Sequence, residues 1–502
     1  MNFLCSYFAI CLTLLVTLGY VYVKRKYSYW QRHKIGFIEP KFPFGNLRVI
    51  RRTEHLSQRL ARFYIERKHD APMLGIYFML SPILLITDLE LIRHIFIKDF
   101  QYFRNRGIFY NEKHDPLSAH LFNVDYEKWR PLRSKLTPTF TSGKMKFMFG
   151  TIVAVADEFV ACLNRSIQID SEMEVNEWLG RFTTDVIGTC AFGIECNSLK
   201  DPQAKFREMG RKVFDQPKLN TFERMLIMSC KSLAKLLRIC THHKDVTDFF
   251  LNIVNETIEY RENNNVQRND FMSLLIELKN AKNDTDRLTI NEIAAQAFVF
   301  FLAGFETTST TLTYCLYELA LDKHKHIQDK ARQEIVTVLD KHNGNLTYEA
   351  INEMTYIDQI INETLRKHPP ASNLARMATS NYKLPNSNYT VPEGMMVIIP
   401  VYGIHHDPEI YENPEKFDPN RFTPEQIQQR PSCTFLPFGE GPRNCIGLRF
   451  GMLQARIGLV KLLQNFEFST CTRTQIPIKY SPKKLVLSPE NGVWLKITGV
   501  KN

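Results

Sequence analysis

Between Phe3 and Val23 the chain carries no charged side chain, whereas from Lys24 onward apolar and charged positions alternate with the periods of helices and short strands. Twenty-one uncharged residues rising ~1.5 Å each span ~32 Å, close to the hydrocarbon thickness of a bilayer. Residues 1–23 are therefore predicted to form a transmembrane anchor; a cleaved leader would need a basic start and small residues at its end, and here Leu18, Tyr20, Val21 and Tyr22 are bulky. Positive charge (Lys24, Arg25, Lys26, Arg32, Lys34) flanks only the C-terminal side, which places the rest of the chain on the cytosolic face, with Tyr20, Tyr22 and Trp30 expected at the interface. Pro40, Pro43, Gly45 and Asn46 predict a stiff hinge closing a basic flank over 24–46.

Beyond the hinge, residues 47–502 read as one body, since no Gly/Ser- or Pro-rich linker divides them. Leu74 to Met79 and Ile83 to Thr87 are β-rich runs joined at Ser81-Pro82, a predicted hairpin, and Asp88 can cap the helix that follows. Thr289 with Glu292 three residues on forms a capping box, and the helical pattern behind it continues to about Leu321, long enough to cross a whole domain. Further helices are predicted to about Leu339, from Thr355 to Lys367 before Pro369-Pro370, and from Ile446 to Phe466; Met395 to Val401 reads as a buried strand, and Asn413 to Phe422 as Pro-punctuated coil.

A hydrophobic share of 44% supplies a large core and excludes a disordered chain. Eleven Cys without C-x-x-C or zinc-type spacing argue against a disulfide framework or a zinc site and fit a reducing compartment. The net charge of +11 is spread among acidic residues rather than gathered into an arginine-rich block, which favours an anionic membrane surface or an acidic protein over nucleic acid.

The chemistry concentrates in Phe438-Gly-Glu-Gly-Pro-Arg-Asn-Cys-Ile-Gly447. Three glycines and a proline describe a tight loop that ends at a helix N-terminus, where backbone N–H groups and the dipole favour a Cys445 thiolate and Arg443 can pair an anion. Phe438, Gly441, Arg443, Cys445 and Gly447 match F-x-x-G-x-R-x-C-x-G, so the chain resembles the cytochrome P450 superfamily. Three further motifs agree: Ala303-Gly304-Phe305-Glu306-Thr307-Thr308 within the long helix, Glu363-Thr-Leu-Arg366 completed by Arg421, and Trp129 with Arg133 as W-x-x-x-R. Gly304 weakens its helix locally, and the Thr307 hydroxyl can turn inward, opening a groove.

The resemblance implies a mainly α fold, a large helical domain with small β-sheets behind an N-terminal membrane anchor, with 47–502 as a haem-thiolate monooxygenase domain. It implies haem b with Cys445 as axial iron ligand and Phe438 and Arg443 in its loop. Trp129, Arg133, Arg376 and Arg443 are implied to hold the haem propionates, Thr307 to serve oxygen activation with Glu306 as the acid, and Glu363, Arg366 and Arg421 to hold the haem loop. The wording around Cys445 is similar to insect microsomal members that metabolise xenobiotics. The implied partners are NADPH-cytochrome P450 reductase, cytochrome b5 as an optional second donor, and the endoplasmic reticulum membrane. A basic stretch (Lys128, Arg130, Lys135, Lys144, Lys146) is the candidate reductase surface. Substrate contacts are expected from 101–125, 205–240, Phe298 to Phe305 and Ser372-Asn373, with apolar walls for a lipophilic xenobiotic or insecticide, or a hormone or steroid. Two alternatives remain at this point: a reductase-independent isomerase or dehydratase, and a non-catalytic haem sensor. His405-His406-Asp407 is read as a structural turn rather than a metal site, and His242-His243 as a solvated helix end.

Overall fold

The computed structural model describes residues 2–47, 53–268, 270–283, 287–385 and 387–500, with backbone alone at 2–6 and 9. Helix α1 (Asn2–Tyr27) covers the charge-free stretch and runs four residues past it. Tyr7, Phe8, Ile10, Leu14, Leu15, Leu18 and Tyr20 are all exposed on it, so its described part ahead of Lys24 presents large apolar side chains to its surroundings. Trp30 departs from its expected interfacial place. It is fully buried in the body, with its ring against Gly75 and its Nε1–H donating to the Ile76 carbonyl at 3.1 Å. An indole that finds both packing and an acceptor inside the fold has no reason to sit at a lipid headgroup. The Pro segment is also fixed rather than free, because Asn46 N–H donates to Tyr77 O at 2.8 Å and Asn46 Oδ1 accepts from Tyr77 N–H at 2.6 Å.

Strands β1 (Met73–Phe78) and β2 (Ser81–Ile86) form the expected antiparallel hairpin with Met73 opposite Ile86, and Asp88 Oδ1 caps the next helix by accepting Leu91 N–H at 2.7 Å. The helical body follows: α2 (Tyr126–Leu136), α3 (Ser142–Ile167), short strand β3 (Glu172–Glu174), α4 (Val175–Ile187), α5 (Lys205–Asp215), α6 (Thr221–Ser229) and α7 (Lys231–Leu236). Helix α8 (Ile290–Ala320) begins at the Thr289–Glu292 capping box and is about 47 Å long at 1.5 Å per residue. Helices α9 (Lys325–Lys341) and α10 (Thr355–Lys367) come next; α10 has the predicted bounds.

Strands β4 (Leu374–Met377), β5 (Tyr382–Lys383), β6 (Thr390–Val391) and β7 (Met396–Ile399) follow, then α11 (Val401–His405), α12 (Leu448–Asn465), β8 (Phe466–Thr470) and β9 (Trp494–Gly499). The largest sheet runs β1-β2-β7-β4, with β2 and β7 parallel and β4 antiparallel to β7, which sets Arg376 opposite Val397. Helix α12 starts at Leu448, two residues later than the periodicity predicts, because Ile446 and Gly447 belong to the preceding loop. Leu312, Cys315, Leu316 and Leu319 place one buried stripe of α8 against α4, α10 and α12, making α8 the axis of the core. Helix α3 is long and apolar enough to cross a membrane, yet it packs on α12 and α4 with Ile152, Phe159 and Leu163 buried and Phe159 stacked on Phe182, as a core helix does.

Candidate active site

The loop before α12 is turned by Gly439 and Gly441, both near φ +70° (71° and 72°). At Gly441 any Cβ would also overlap the Phe96 carbonyl, so two independent constraints demand glycine there. Asn444 N–H donates to Gly441 O at 3.1 Å and Cys445 N–H to Phe438 O at 2.8 Å, closing the loop so that Cys445 stands three residues before α12. Cys445 keeps accessible surface although protein surrounds it, which marks an internal cleft. Burial pushes its thiol up, and a hydrogen bond from the Gly447 backbone together with Arg133 and Arg106 pulls the other way.

Those arginines belong to a cluster of four. Arg443 reaches Val124 O at 2.9 Å and lies 4.5 Å above the Trp129 ring, yet its Nε and Nη1 are buried without partners. Arg376 on β4 lies 4.6 Å above Phe96, bonds its neighbour Ala375 O, and also leaves Nε unpartnered. Arg133 donates to Asn444 O and Oδ1, both at 3.0 Å, which ties α2 to the Cys loop. Arg106, which the sequence patterns did not single out, donates to Phe122 O at 3.0 Å and to Arg443 O at 2.9 Å. Burial pushes Arg106 down to about 10 against the opposing pull of Cys445, and burial followed by the crowding of like charge pushes Arg443 to about 9 and Arg376 well below its ordinary value. A guanidinium does not discharge in a protein, so buried arginines crowded together with unpartnered nitrogens suit an anion between them. A planar group with two carboxylates at one edge and a metal able to take a thiolate supplies what is missing; haem b fits this donor set.

The motif on α8 is a continuous helix without a break. Thr307 Oγ1 donates to Ala303 O at 2.6 Å, so its hydroxyl is spent on the helix and its lone pairs face outward. Gly304 does not open a groove: Ile187 of α4 occupies the place where its Cβ would stand. Thr183 Oγ1 donates to Phe305 O at 3.1 Å beside it, so the glycine serves close helix packing. Ala303 is exposed at mid-helix, and the carboxyl of Glu306 is raised by burial, with Lys484 opposing and Asp215 reinforcing the shift.

Glu363 and Arg366 are both fully buried and bonded twice, at 2.7 and 2.9 Å. Glu363 Oε1 also accepts Asp418 N–H at 2.9 Å, and Arg421 Nε stands 3.5 Å from it while Arg421 Nη2 donates to Glu412 O at 2.6 Å. Arg366 continues to His405 O at 2.9 Å and Pro414 O at 2.7 Å. His405 completes the chain of contacts: Nδ1–H donates to Arg366 O at 3.1 Å, and Nε2 accepts Leu436 N–H at 2.9 Å, two residues ahead of Phe438. That tautomer is neutral, and burial followed by the Arg366 charge pushes the ring down to about 3. His405 thus joins the α10 ion pair to the Cys loop, a link that the sequence pattern marked only as a turn; the run ends a short helix and not a strand.

His242 is not a solvated helix end. It pairs with Asp115 at 2.9 Å and stands edge-on to Phe298 at 5.0 Å. Among the described residues no His, Cys, Asp or Glu cluster has the form of a metal site. Arg106 escaped sequence reading because it lies in irregular chain far from Cys445, and only the fold unites them.

A cysteine presented by a glycine-turned loop before a core helix, beside a cluster of buried arginines with unpartnered nitrogens, has the donor set of a haem-thiolate protein. The cytochrome P450 family model matches residues 37–496, and the chain belongs to that family. It is 47% identical over 95% of its length to "Probable cytochrome P450 6a20" of Drosophila melanogaster, covering 97% of that protein. It is 46% identical to "Cytochrome P450 6a8" of the same fly, with 98% of this chain and 99% of that one aligned, and 43% identical to "Cytochrome P450 6A1" of Musca domestica, with 99% and 98% aligned. The family is haem-thiolate, with haem b iron ligated by cysteine, and its members are monooxygenases.

Proposed function

We propose that this protein is a membrane-anchored monooxygenase that inserts one oxygen atom into a lipophilic substrate: RH + O₂ + NADPH + H⁺ gives ROH + H₂O + NADP⁺. The observation that carries the reading is Cys445 beside an arginine cluster in which Arg376 and Arg443 leave buried nitrogens without partners, in a chain that also keeps Glu306-Thr307. Haem, when bound, supplies the dioxygen chemistry and the electron storage. Cys445 would hold the iron, and Arg106, Arg133, Arg376 and Arg443, with Trp129, would hold the propionates; the Phe438 carbonyl accepts the Cys445 N–H and keeps the loop closed. Mid-way along α8, Thr307 offers its outward lone pairs as the proton acceptor, and the raised carboxyl of Glu306 beside it in sequence is the acid. Glu363, Arg366 and Arg421 keep the loop in place, and breaking that buried group costs about 3–5 kcal/mol.

Electrons come from NADPH-cytochrome P450 reductase, with cytochrome b5 as a second donor, docking on the basic face of α2 and α3. Lys128 and Lys146 there already pair with Glu112 and Glu349, so exposed Arg130 and Lys144 are the charges most open to a partner. Helix α1 spans the endoplasmic reticulum membrane with the body cytosolic, and exposed Phe222, Leu236 and Leu237 on and just after α6 and α7 give the body a second lipid contact. At Ser372-Asn373 the Asn373 Oδ1 is buried without a partner, which favours an oxygenated lipid, steroid-like substrate whose hydroxyl donates to it. If Asn373→Leu leaves the preference between hydroxylated and plain lipids unchanged, that substrate assignment fails. Reconstitution with reductase and lipid tests the whole reading: NADPH- and O₂-dependent hydroxylation is expected, and rearrangement or dehydration without NADPH would instead establish the isomerase alternative.

A further inference from the structure

The Asn373 side chain has almost no anchor of its own: among the described residues its Oδ1 is unpartnered, and its Nδ2 only nears Ser372 Oγ at 3.5 Å. Its place is therefore set by the turn between α10 and β4 that carries it. Pro369 and Pro370 bring no N–H donors to that turn, so it is fastened through carbonyls. Pro370 O accepts Leu487 N–H at 3.2 Å, and Ser372 O accepts Tyr402 N–H at 3.0 Å. Leu487 belongs to the 471–493 segment between β8 and β9, in which Tyr480 bridges Pro489 and Ser481 N–H donates to Ser488 O at 2.8 Å. Tyr480 and Leu487 thus sit on the two arms of one hairpin-like loop. One arm is pinned to α8 directly, with the Tyr314 hydroxyl donating to Leu487 O at 3.1 Å. The other is pinned through a buried polar chain. The His368 ring, 2% exposed and stacked 4.4 Å from Tyr314, stands between Glu318 of α8 and Tyr480: Nε2 is 2.8 Å from Glu318 Oε1, and Nδ1 is 2.8 Å from the Tyr480 hydroxyl. Lys367 already neutralises Glu318 at 2.9 Å, and burial holds His368 below its ordinary pKa against the pull of Glu318. The ring is neutral, donating from Nε2 and accepting the Tyr480 O–H at Nδ1.

Resting on the reading of Asn373 given above, we propose that the Glu318–His368–Tyr480 chain is a positioning device that aims Asn373 and so discriminates hydroxylated lipids from their plain counterparts. The three act through other residues: α8 fixes His368, His368 fixes Tyr480, the loop carries that constraint across to Leu487, and Leu487 holds Pro370, three residues before Asn373. A hydrogen bond is directional and weakens steeply once its donor angle falls below about 120°, whereas apolar contact is not. A small rotation of the turn therefore costs the bond from a substrate hydroxyl and leaves the packing of a hydrocarbon as it was. Without the Tyr480 hydroxyl, the Leu487 and Tyr402 bonds still hold the turn to the body, so the fold survives and only the aim of Asn373 is loosened.

The test uses the full-length holoenzyme in detergent, with androstanol and its parent hydrocarbon androstane as probes and displacement of the Soret band as the measure of binding. Asn373→Leu should lower the preference for androstanol roughly fivefold, the effect of about one hydrogen bond. Tyr480→Phe removes one hydroxyl and keeps the ring; it should lower the preference roughly threefold and add nothing in the Asn373→Leu background, because both act on the same bond. Androstane affinity and the Cys445-dependent carbon monoxide spectrum should stay unchanged in Tyr480→Phe. His368→Phe keeps the stack on Tyr314, loses both hydrogen bonds and is expected to match Tyr480→Phe; should it fail to fold, Tyr480→Phe and the double variant decide. A preference retained in Tyr480→Phe, equal weakening of both probes, or additive losses in the double variant overturns the proposal. Loss of preference in Asn373→Leu with none in Tyr480→Phe strikes the positioning role and leaves the Asn373 reading standing, whereas no loss even in Asn373→Leu removes that reading and the positioning role with it.

Discussion

Arg376 and Arg443 are at most 2% exposed, and three of their guanidinium nitrogens have no partner among the described residues. A buried charge-assisted hydrogen bond is worth about 1.5–3 kcal/mol, so Arg376→Leu or Arg443→Leu should speed haem loss to an acceptor such as apomyoglobin roughly 10- to 150-fold. Arg106→Leu should act in the same direction, and an unchanged rate in all three would mean that the propionates lie elsewhere. His405 gives a pH signature of known sign. Its folded pKa of about 3 lies below the ordinary 6.5, so its contribution to stability is complete above pH ~6.5 and is lost as pH falls toward 3. Thermal midpoints of the wild type should therefore drop through that window, with a flatter acid limb in His405→Asn. At this scale Cys445, Arg443 and Trp129 were legible because their motifs are local in sequence, whereas Arg106 acts through a contact 337 residues away and His405 through contacts 31 and 39 residues away.

Helix ends were read well because caps are local chemistry: Thr289 with Glu292, Asp88 and Pro369-Pro370 each stop or start a helix within one turn. The role of Gly304 was not legible, since a missing side chain gives no sign of which neighbour uses the space. The packing of Ile187 against it predicts that Gly304→Ala destabilises the fold by about 1–3 kcal/mol through overpacking, and that adding Ile187→Ala recovers part of this loss in a double-mutant cycle of chemical denaturation. A groove-opening role for the glycine predicts no such coupling. Trp30 shows the same limit from the other side: its aromatic ring beside a basic flank reads as interfacial, and only strand β1 reveals the pocket that takes it.

At the scale of the molecule, α1 exposes large apolar side chains ahead of Lys24 and meets the body at its C-terminal end, where Tyr27 stands edge-on to Tyr77, while the body buries its own core about α8. Removing residues 2–27 should weaken membrane binding without abolishing it, because Phe222, Leu236 and Leu237 remain; flotation with vesicles measures both steps, and full solubility of the truncated chain would dismiss the second contact. The class of fold was legible from four short motifs, yet the way they converge was not, since β4, α2, α8 and the Cys loop meet only in three dimensions. The central claim is that Cys445 is the thiolate ligand of haem. The most direct measurement is the reduced, carbon monoxide difference spectrum of the full-length protein and of Cys445→Ala: a strongly red-shifted Soret band present in the first and lost in the second is the predicted result, and its absence from folded wild-type protein, or its persistence in the variant, would contradict the account.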